Sequence, residues 1–328
     1  MTRAAEASER FECFGCACSV LVTGDARERS AREAVAAARR DLQAWHVRFS
    51  RFLPHSELSA LNRNPRETVT VSALMARFAR AARDAGSLSG GLVDATLGRE
   101  IVSAGYARDA SQLGESVPLR RALELAPPRR PAAPRKSARW QLIEVDVERA
   151  TVTRPVGMLL DSGGIAKGLF ADVLAERLAG HAAFAIVCGG DLAIGDAASP
   201  AREVHVESPF DDGTLHTFEL LRGGVATSGV GRRSWLGPRG APAHHLLDPS
   251  TGQPAFTGVV QATALASSAL EAEVRAKAAL LGGPSAAREW LTDGGVIVLD
   301  DGSHEVIPAS QRLNSTASSE PRVASPAL

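Results

Sequence analysis

The chain has 328 residues, 45% of them hydrophobic, and its 37 Lys and Arg residues balance its 37 Asp and Glu residues. This length allows a substantial core, and the balance of charge excludes a global field that would attract nucleic acid or an anionic membrane. No apolar run approaches the roughly 20 residues that span a bilayer, and the first residues, MTRAAEASERFEC, lack the apolar segment of a signal peptide. We therefore expect a cytoplasmic protein without membrane insertion.

The cysteines suit a reducing compartment better than a disulfide framework, since three of the four fall in the short stretch FECFGCACSV. Alternation in CACSVLV predicts a strand from Cys16 to Val22. Cys16 and Cys18 then share one face, where a thiol behaves as a small buried hydrophobe. A metal site is the alternative, but a lone C-x-x-C-x-C without a second group of ligands is a weak signal for it.

The first half of the chain predicts helices, a polar loop and an insertion. Apolar or small residues spaced three and four apart predict a helix from Ala31 to about Phe49 and a second one from Val71 to Ala85. Between them, RFSRFLPHSELSALNR (48–63) predicts a loop that turns into a short helix capped by Ser56. The Arg, Ala and Pro residues of the segment 107–138 predict a flexible surface insertion.

The second half of the chain is dominated by strand-like runs. These runs are QLIEVDV, TVTRPVGMLL, FAIVCGGDLAIG, REVHVESP, HTFELLRGGVATSG and VVQATALA. We expect an α+β fold with mixed, largely antiparallel sheets and packed helices, in one two-lobed domain over residues 11–308. Residues 1–10 and 309–328 are predicted to be disordered termini.

The stretch LDSGGIAKGLFAD (160–172) predicts a phosphate site. VGMLLD is typical of a strand, GG of a turn, and residues 165–180 of a helix whose buried side carries Leu169, Phe170, Val173, Leu174 and Leu178. Lys167 then lies in the first turn of the helix, where a cation opposes the macrodipole unless an anion is bound. The alternatives are that Lys167 pairs with Asp161 or points into solvent.

Several motifs together resemble the ApbE family, the FAD:protein FMN transferases. They are GLVDATLGREIVSAGY, LDSGGIAKGLFAD, FAIVCGGDLAIGD, VATSGV and HHLLDPSTGQP, and the opening FECFGCACSVLV and the RFSRFLPHSELSALNR loop are also similar to that family. The resemblance covers about residues 11–300 and implies a fold related to the tunnelling fold. It also implies magnesium-dependent transfer of FMN from FAD, through its phosphate, to a threonine of a flavoprotein, with release of AMP.

The resemblance further implies which residues meet the ligands. Asp161 and Lys167 fall at positions that contact FAD, and Gly164 at a position whose carbonyl binds the metal. His245 and Asp248 match a histidine and an aspartate of the family and are predicted to be catalytic together with Lys277, with His245 as the candidate that removes the threonine proton. The other predicted flavin contacts are Ser56, Glu57, Asn62, Asp94, Thr96, Gly189, Gly190, Asp191, Thr227 and Ser228. Without the family context, these residues are equally compatible with ordinary turns, caps and bulges.

One segment, SALEAEVRAKAALLGG, departs from the family. Relatives carry an Asp and, four residues later, a Thr that bind magnesium, whereas this chain has Glu273 and Lys277, which are adjacent on a helix. Glu273 suits magnesium. The ammonium of Lys277 cannot ligate a metal; it either takes the place of the ion or forms an exposed pair with Glu273. Three functions therefore stay open: the transferase, an FAD pyrophosphatase that gives FMN and AMP, and a non-catalytic flavin-binding protein.

Overall fold

A computed structural model describes residues 6–108, 117–195, 201–237 and 240–314, which form strands and helices. The strands are β1 (Glu6–Cys13), β2 (Cys16–Thr23), β3 (Thr68–Thr70), β4 (Glu144–Asp146), β5 (Thr151–Thr153), β6 (Ala183–Cys188), β7 (Asp191–Gly195), β8 (Arg202–Glu207), β9 (Thr214–Leu220), β10 (Gly223–Gly229), β11 (Ser234–Leu236), β12 (Pro242–His244), β13 (Leu247–Asp248), β14 (Gln253–Pro254), β15 (Val259–Ala266), β16 (Gly295–Leu299) and β17 (His304–Ile307). The helices are α1 (Ala31–Phe49), α2 (Glu57–Arg63), α3 (Ala73–Leu88), α4 (Gly98–Ser103), α5 (Leu119–Glu124), α6 (Ala166–Leu178), α7 (Ala269–Gly282), α8 (Pro284–Trp290) and α9 (Gln311–Asn314), with a 3-10 helix over Arg139–Leu142.

A large antiparallel sheet forms the centre of the protein. Within the described residues it has eight strands, in the order β1-β2-β6-β7-β10-β15-β16-β17. Helix α1 packs on β1 and β2, α6 on β6 and β7, and α7 on β10 and β15, while α6 also contacts both α1 and α7. The expected α+β fold with largely antiparallel sheets is therefore confirmed.

The side chains of α1 and β2 explain why this part of the sequence folds as predicted. Ser30 and Glu33 form a capping box that begins α1 at the expected residue. Alternate residues of β2 are buried, among them Cys18, while Cys16 is half-buried, and all four cysteines are free thiols. The predicted burial is thus confirmed for Cys18 but not fully for Cys16, and Cys13 and Cys188 are buried as well.

Two large apolar cores and one smaller cluster lie within the described residues. In the first core, Phe170 of α6 packs against Phe49 and Trp45 of α1, with ring centroids 4.9 and 5.2 Å apart. The side of α6 that was predicted to be buried is buried. The second core lies between α7 and strands β10, β15 and β16. Since α6 and α7 pack against each other, the two cores meet at their contact.

The segment VGMLLD forms no strand, contrary to the sequence-based prediction. The amide of Leu160 donates to Asn62 Oδ1, and Asn62 Nδ2 donates to the carbonyl of Leu160, both over 2.8 Å. A side chain 98 residues away in sequence therefore takes the place of a neighbouring strand. The longer predicted run likewise shortens to β5, which ends immediately before Arg154 and Pro155.

The segments that were predicted to be disordered or flexible contain ordered residues. Residues 6–10 belong to β1, because they pair with β2, and α9 buries Leu313. Within the Arg/Pro-rich segment, Ala132 donates its amide to the carbonyl of Leu281 over 2.8 Å, and α5 buries two side chains. Residues 1–5, 109–116 and 315–328 lie outside the described part of the chain. None of the helices seen within it is long and apolar enough to cross a membrane.

Candidate functional site

A cleft opens between the β1–β2 turn, the segment after α1 and the first turn of α6. It consists of two adjoining hollows, and the residues that line both are Tyr106, Asp161, Gly163 and Arg233. Lys167 borders the first hollow, and His245 and Lys277 border the second. Residues from widely separated motifs therefore meet in one cavity.

Four side chains at the end of the cleft form what we call the lysine–carboxylate cluster: Lys167, Asp191, Glu273 and Lys277. Lys167 donates to Asp191 Oδ2, and its Nζ lies 3.8 Å from Glu273 Oε1. Lys277, one turn after Glu273 on α7, donates to the same Oε1 over 3.0 Å. The other oxygen of the fully buried Glu273 accepts the amide of Gly168 over 2.9 Å. Two ammonium groups thus share one carboxylate.

A close contact between α6 and α7 holds this cluster in place. A Cβ added to Gly168 would lie 2.7 Å from the carbonyl oxygen of Ala269, so only glycine permits the approach. One turn further along α6, Asp172 accepts the amides of Ala269 and Leu270 over 2.8 and 2.9 Å. This carboxylate caps the first turn of α7 from a neighbouring helix. The geometry of the cluster therefore depends on the spacing of two helices.

Burial and mutual attraction set the charges of the cluster. Burial disfavours the ammonium of Lys167, but the charges of Asp191 and Glu273 outweigh it and raise the pKa of Lys167. Burial and the charge of Glu273 raise the pKa of Asp191 to about 6, against the opposing attraction of Lys167. At neutral pH both partners are therefore charged, and Asp191 is the closer of the two to titration.

Asp161 pairs with an arginine rather than with Lys167. Its Oδ2 lies 3.2 Å from Arg51 Nε, and its Oδ1 accepts the amide of Gly163 over 2.7 Å. A Cβ added to the next residue, Gly164, would meet no atom within 4 Å, so the backbone of this turn is open to the cleft. The turn therefore leaves its backbone accessible to a ligand.

Aromatic rings form the wall of the cleft. Tyr106 and Trp235 stack with centroids 5.5 Å apart and planes at 19°, and Phe52 meets Tyr106 edge-on. The guanidinium carbon of Arg51 lies 4.2 Å from the ring centroid of Phe52. Phe14, in the β1–β2 turn, contributes a further ring to the first hollow. A planar, partly polar ligand suits such a wall.

Two neighbouring histidines are held neutral by burial. Burial lowers the pKa of His244 to about 4, and burial together with the charge of Arg233 lowers the pKa of His245 well below its usual value. His245 borders the cleft, and its buried Nδ1 has no hydrogen-bond partner among the described residues. A neutral imidazole with a free nitrogen can accept a proton from a bound hydroxyl.

Asp94 also presents an unused acceptor to the cleft. Its Oδ1 accepts both the amide and the hydroxyl of Thr96, over 2.8 and 2.7 Å. Its buried Oδ2 has no partner in the part of the chain that the structure describes. The Asp94–Thr96 pair therefore holds one carboxylate oxygen in place for a ligand donor.

The residues predicted from the early loop serve the fold instead of the cleft. Ser56 caps α2 by accepting an amide of its first turn over 3.0 Å, and Asn62 binds both backbone groups of Leu160. Glu57 accepts the amide and hydroxyl of Ser72, the N-cap of α3. Their hydrogen bonds all support helix caps or the backbone of the fold, and none of the three residues lines either hollow. The structure therefore does not bring them to the cavity.

Asp248, predicted to be catalytic, closes a turn. Its Oδ1 accepts the amide of Ala133 over 3.1 Å, and the amide and hydroxyl of Ser250 over 2.9 and 2.8 Å. These bonds attach the Arg/Pro-rich segment to the turn after β13. The contacts of this carboxylate give it an anchoring role.

The predicted contacts on β10 lie within the sheet. Thr227 shares a hydrogen bond of 2.9 Å with the hydroxyl of Thr263 on β15, and its amide donates to the carbonyl of Gly190 over 2.9 Å. Its neighbour Ser228 is buried. Gly189 turns β6 into β7 with a φ of +66°. Thr227, Ser228, Gly189 and Gly190 thus support the hairpin from which Asp191 reaches the cluster.

Several cleft residues carry no signal that sequence reasoning could use. Arg51 and Tyr106 lie in loops, and Arg233, which donates to the carbonyl of Phe14 over 3.2 Å, directly precedes a short strand. Cys16 lies near the cluster; a hydrogen bond with Cys18 and the charges of Lys167 and Arg233 lower its pKa to about 7 against the opposing effect of burial. Only the tertiary fold brings these residues to the site.

The donor atoms near Gly164 do not fit the predicted magnesium ion. Both oxygens of Glu273 already accept hydrogen bonds, and the ammonium of Lys277 has no lone pair and repels a cation. Mg²⁺ prefers an octahedral shell of oxygen ligands. The described residues contain no group of three or more His, Cys, Asp or Glu side chains that would hold a metal. The set of residues is instead that of a site for an anion.

The fold and the cleft define a class of protein: an α+β protein whose cavity combines an aromatic wall with two largely buried lysines that are paired with carboxylates. The sequence model of the ApbE family matches residues 14–299, and the chain belongs to that family. It is 32% identical over 136 residues to the FAD:protein FMN transferase of Treponema pallidum (strain Nichols). That match spans 37% of this chain and 37% of the relative, so well under two thirds of the relative's length.

Solved structures of the same family share the fold. The crystal structure of the ApbE protein of Thermotoga maritima superimposes with a TM-score of 0.74 at 25% identity, covering 92% of this chain and 97% of that one. The flavin transferase ApbE of Vibrio cholerae gives a TM-score of 0.70 at 19% identity, covering 94% and 99%. The apo flavinyl transferase ApbE of Pseudomonas stutzeri gives 0.72 at 20% identity, covering 97% and 99%.

Proposed function

We propose that this protein is an FAD:protein FMN transferase, which moves FMN from FAD through its phosphate to a threonine of a flavoprotein and releases AMP. The observation that carries the proposal is the lysine–carboxylate cluster at the end of an aromatic cleft. FAD joins a planar ring to a diphosphate, so a wall of rings and two ammonium groups match its two chemically distinct parts. Membership of the ApbE family supports the same substrate.

The placement of FAD follows from these two parts. The flavin ring lies against Phe14, Phe52 and Tyr106 in the first hollow, and the free oxygen of Asp94 accepts a ligand N–H or O–H in the second hollow. The diphosphate lies at the open turn of Gly164, beside the ammonium of Lys167. Asp161 keeps Arg51 against the aromatic wall and thereby fixes the width of the cleft.

The transfer is a displacement at the phosphorus of the FMN half. The threonine oxygen attacks that phosphorus, the bond from it to the bridging oxygen breaks, and AMP leaves with the bridging oxygen. His245 accepts the proton of the threonine hydroxyl at its free Nδ1. The positive charges beside the diphosphate stabilise the charge that develops on the leaving oxygen. Asp248 acts only through the turn that it closes.

The proposal is tested by incubating the purified protein with FAD and a flavoprotein domain that carries an acceptor threonine. A fluorescent acceptor band after denaturing electrophoresis is expected. Replacement of His245 by Asn should slow labelling by about 10² to 10⁴-fold, the usual contribution of a general base, while FAD binding persists. The matched control is His205→Asn, a histidine exposed on β8, which should label at the wild-type rate.

Two other outcomes would replace the proposal. Free FMN and AMP without a labelled acceptor, with several acceptor domains tried, would identify an FAD pyrophosphatase in which water takes the place of threonine. Tight binding of FAD with neither product would identify a flavin-binding protein without this chemistry.

A further inference from the structure

The use of lysine in this chain is confined to three positions. Of the 37 basic residues, 34 are arginines, and the only lysines are Lys136, Lys167 and Lys277. Lys136 is exposed, whereas the other two are largely buried and meet at one carboxylate. A lysine differs from an arginine in having a compact, strongly localised charge with three rotatable donors. The two buried lysines thus occupy the one place where the chain buries such point charges.

The carboxylate between the lysines is fully engaged in this arrangement. Glu273 accepts the amide of Gly168 at one oxygen and the ammonium of Lys277 at the other over 3.0 Å, and this second oxygen forms an ion pair with Lys167 at 3.8 Å. Its side chain has 0% exposure, so it cannot turn toward the cleft without leaving these donors unpaired. Glu273 therefore positions the lysines and is itself withdrawn from any ligand.

Lys277, by contrast, borders the cleft and has N–H donors that are not used by the described residues. Its side chain borders the second hollow, and it donates one hydrogen bond, to Glu273, among the contacts of the described residues. An ammonium group carries three N–H donors, so two remain for a ligand. The formal charges of the cluster cancel, with two ammonium groups against Asp191 and Glu273. The two hollows add Arg51 and Arg233 against Asp94 and Asp161. What the site offers a diphosphate is therefore the unused donors of Lys277.

We propose that Lys277 and Lys167 are the resident counter-charge for the diphosphate of FAD, so that this protein binds FAD without a divalent metal ion. The inference rests on the proposed function, because it takes FAD as the ligand. It deepens that function by assigning to two side chains the charge neutralisation that a metal ion would otherwise supply. The donor set near Gly164, which is wrong for magnesium, is right for this purpose.

The first test compares FAD binding by the full chain in chelator and in millimolar Mg²⁺, measured by calorimetry or flavin fluorescence. Equal dissociation constants in the two conditions are expected. A constant that is about tenfold larger in chelator, equivalent to about 1.4 kcal/mol, would overturn the inference and leave the proposed function intact. Failure to bind FAD in either condition would overturn the proposed function, and the inference with it.

The second test removes the positive charge of Lys277 but keeps a side chain of similar length. Lys277→Met should weaken FAD binding by about 10- to 100-fold, the scale of a charge-assisted hydrogen bond, and added Mg²⁺ should not restore it. Lys136→Met, which removes the exposed lysine, should leave the affinity unchanged. An unchanged affinity in a folded Lys277→Met protein would overturn the inference. If that variant does not fold, the comparison of chelator with Mg²⁺ on the wild-type chain decides alone.

A third variant gives the site an oxygen ligand. Lys277→Thr replaces the ammonium with a hydroxyl, and FAD binding by this protein should become stronger when Mg²⁺ is added, in contrast to the wild type. A wild-type chain that responds to Mg²⁺ as strongly as Lys277→Thr would contradict the role given to the ammonium.

Discussion

The lysine–carboxylate cluster and the loop around Arg154 both contain buried charged side chains, but these side chains have different roles. Those of the cluster border the cleft, and that of Arg154 supports the fold. In the cluster, ammonium and carboxylate groups pair with one another beside a cleft. Arg154 is 1% exposed and has no carboxylate partner among the residues that the structure describes; it donates to backbone carbonyls, including those of Leu61, Asn64 and Arg66. Burial of a charged side chain therefore does not by itself mark a functional site. The identity of its partners separates a ligand site from an internal support.

Arg154→Met should produce the largest effect on stability. Several buried carbonyls would lose their donor at once, at about 1–3 kcal/mol for a buried group left unpaired, so we expect a loss of at least about 3 kcal/mol of unfolding free energy. Chemical denaturation measures this loss, and the remaining folded protein should bind FAD with unchanged affinity. Arg149→Met, at a site with 84% side-chain exposure, is the control and should change stability by less than about 0.5 kcal/mol. Weaker FAD binding by stable Arg154→Met protein would erase the contrast between the two regions.

Lys167→Met should affect both stability and binding. FAD affinity should fall by about 1–3 kcal/mol, the usual scale of a lost charge-assisted contact. Asp191 would also lose its partner, and removal of one member of a buried pair leaves an uncompensated charge. Calorimetric titration with FAD checks the first effect and thermal unfolding the second. Identical affinity in both proteins would remove Lys167 from the site.

Ser56→Ala should cost stability alone. The loss of the N-cap of α2 is expected to lower the unfolding free energy by about 1 kcal/mol, with no change in FAD affinity. Ser72→Ala, which removes the corresponding cap of α3, should behave in the same way. A change in FAD affinity confined to Ser56→Ala would return this residue to the list of flavin contacts.

The smallest expected effect is a dependence of FAD affinity on pH. Asp191 has a folded-state pKa raised to about 6, so it gains a proton as the pH falls through that value and the cleft becomes more positive. The affinity for the diphosphate should therefore rise by a few fold, about 0.5–1 kcal/mol, between pH 7.5 and pH 5. Because the folded state takes up this proton before the unfolded state does, the contribution of Asp191 to stability also rises as the pH falls.

Asp191→Asn is the variant that isolates this dependence. Its affinity for FAD should lose the part of the slope that lies near pH 6, and any slope that remains near pH 7 belongs to Cys16, whose pKa is lowered to about 7. A wild-type curve that keeps its slope in Asp191→Asn would assign the dependence to another group.

The sequence predicts local structure where a local signal exists. The apolar spacing places α1 correctly, and the resemblance of several motifs to one family predicts that Lys167, Asp191, His245 and Lys277 lie close together. The strand predicted before Asp161 is wrong, because the partner of that segment is Asn62, which no local pattern reveals. Ser56 and Asp248 are typical turn and cap residues, and the structure uses them as such.

The rest of the site depends on long-range topology. Arg51 and Tyr106 come from irregular segments, and their contact exists only because the chain after α1 passes beside the loop that follows α4. Lys277 is four residues from Glu273, a spacing that is common in exposed ion pairs. Only the packing of α6 on α7 buries this pair and turns it toward the cleft.

Gly168 makes the chemistry of this protein sensitive to a residue that touches no ligand. In most helix interiors, replacing glycine with alanine gains about 1 kcal/mol, but here the added methyl group would push α6 away from α7 and carry Lys167 away from Glu273. The distance between the ammonium groups of Lys167 and Lys277 therefore depends on the lack of a Cβ atom at Gly168. A relative with a larger residue at the position of Gly168 would need a different arrangement of side chains to hold its substrate.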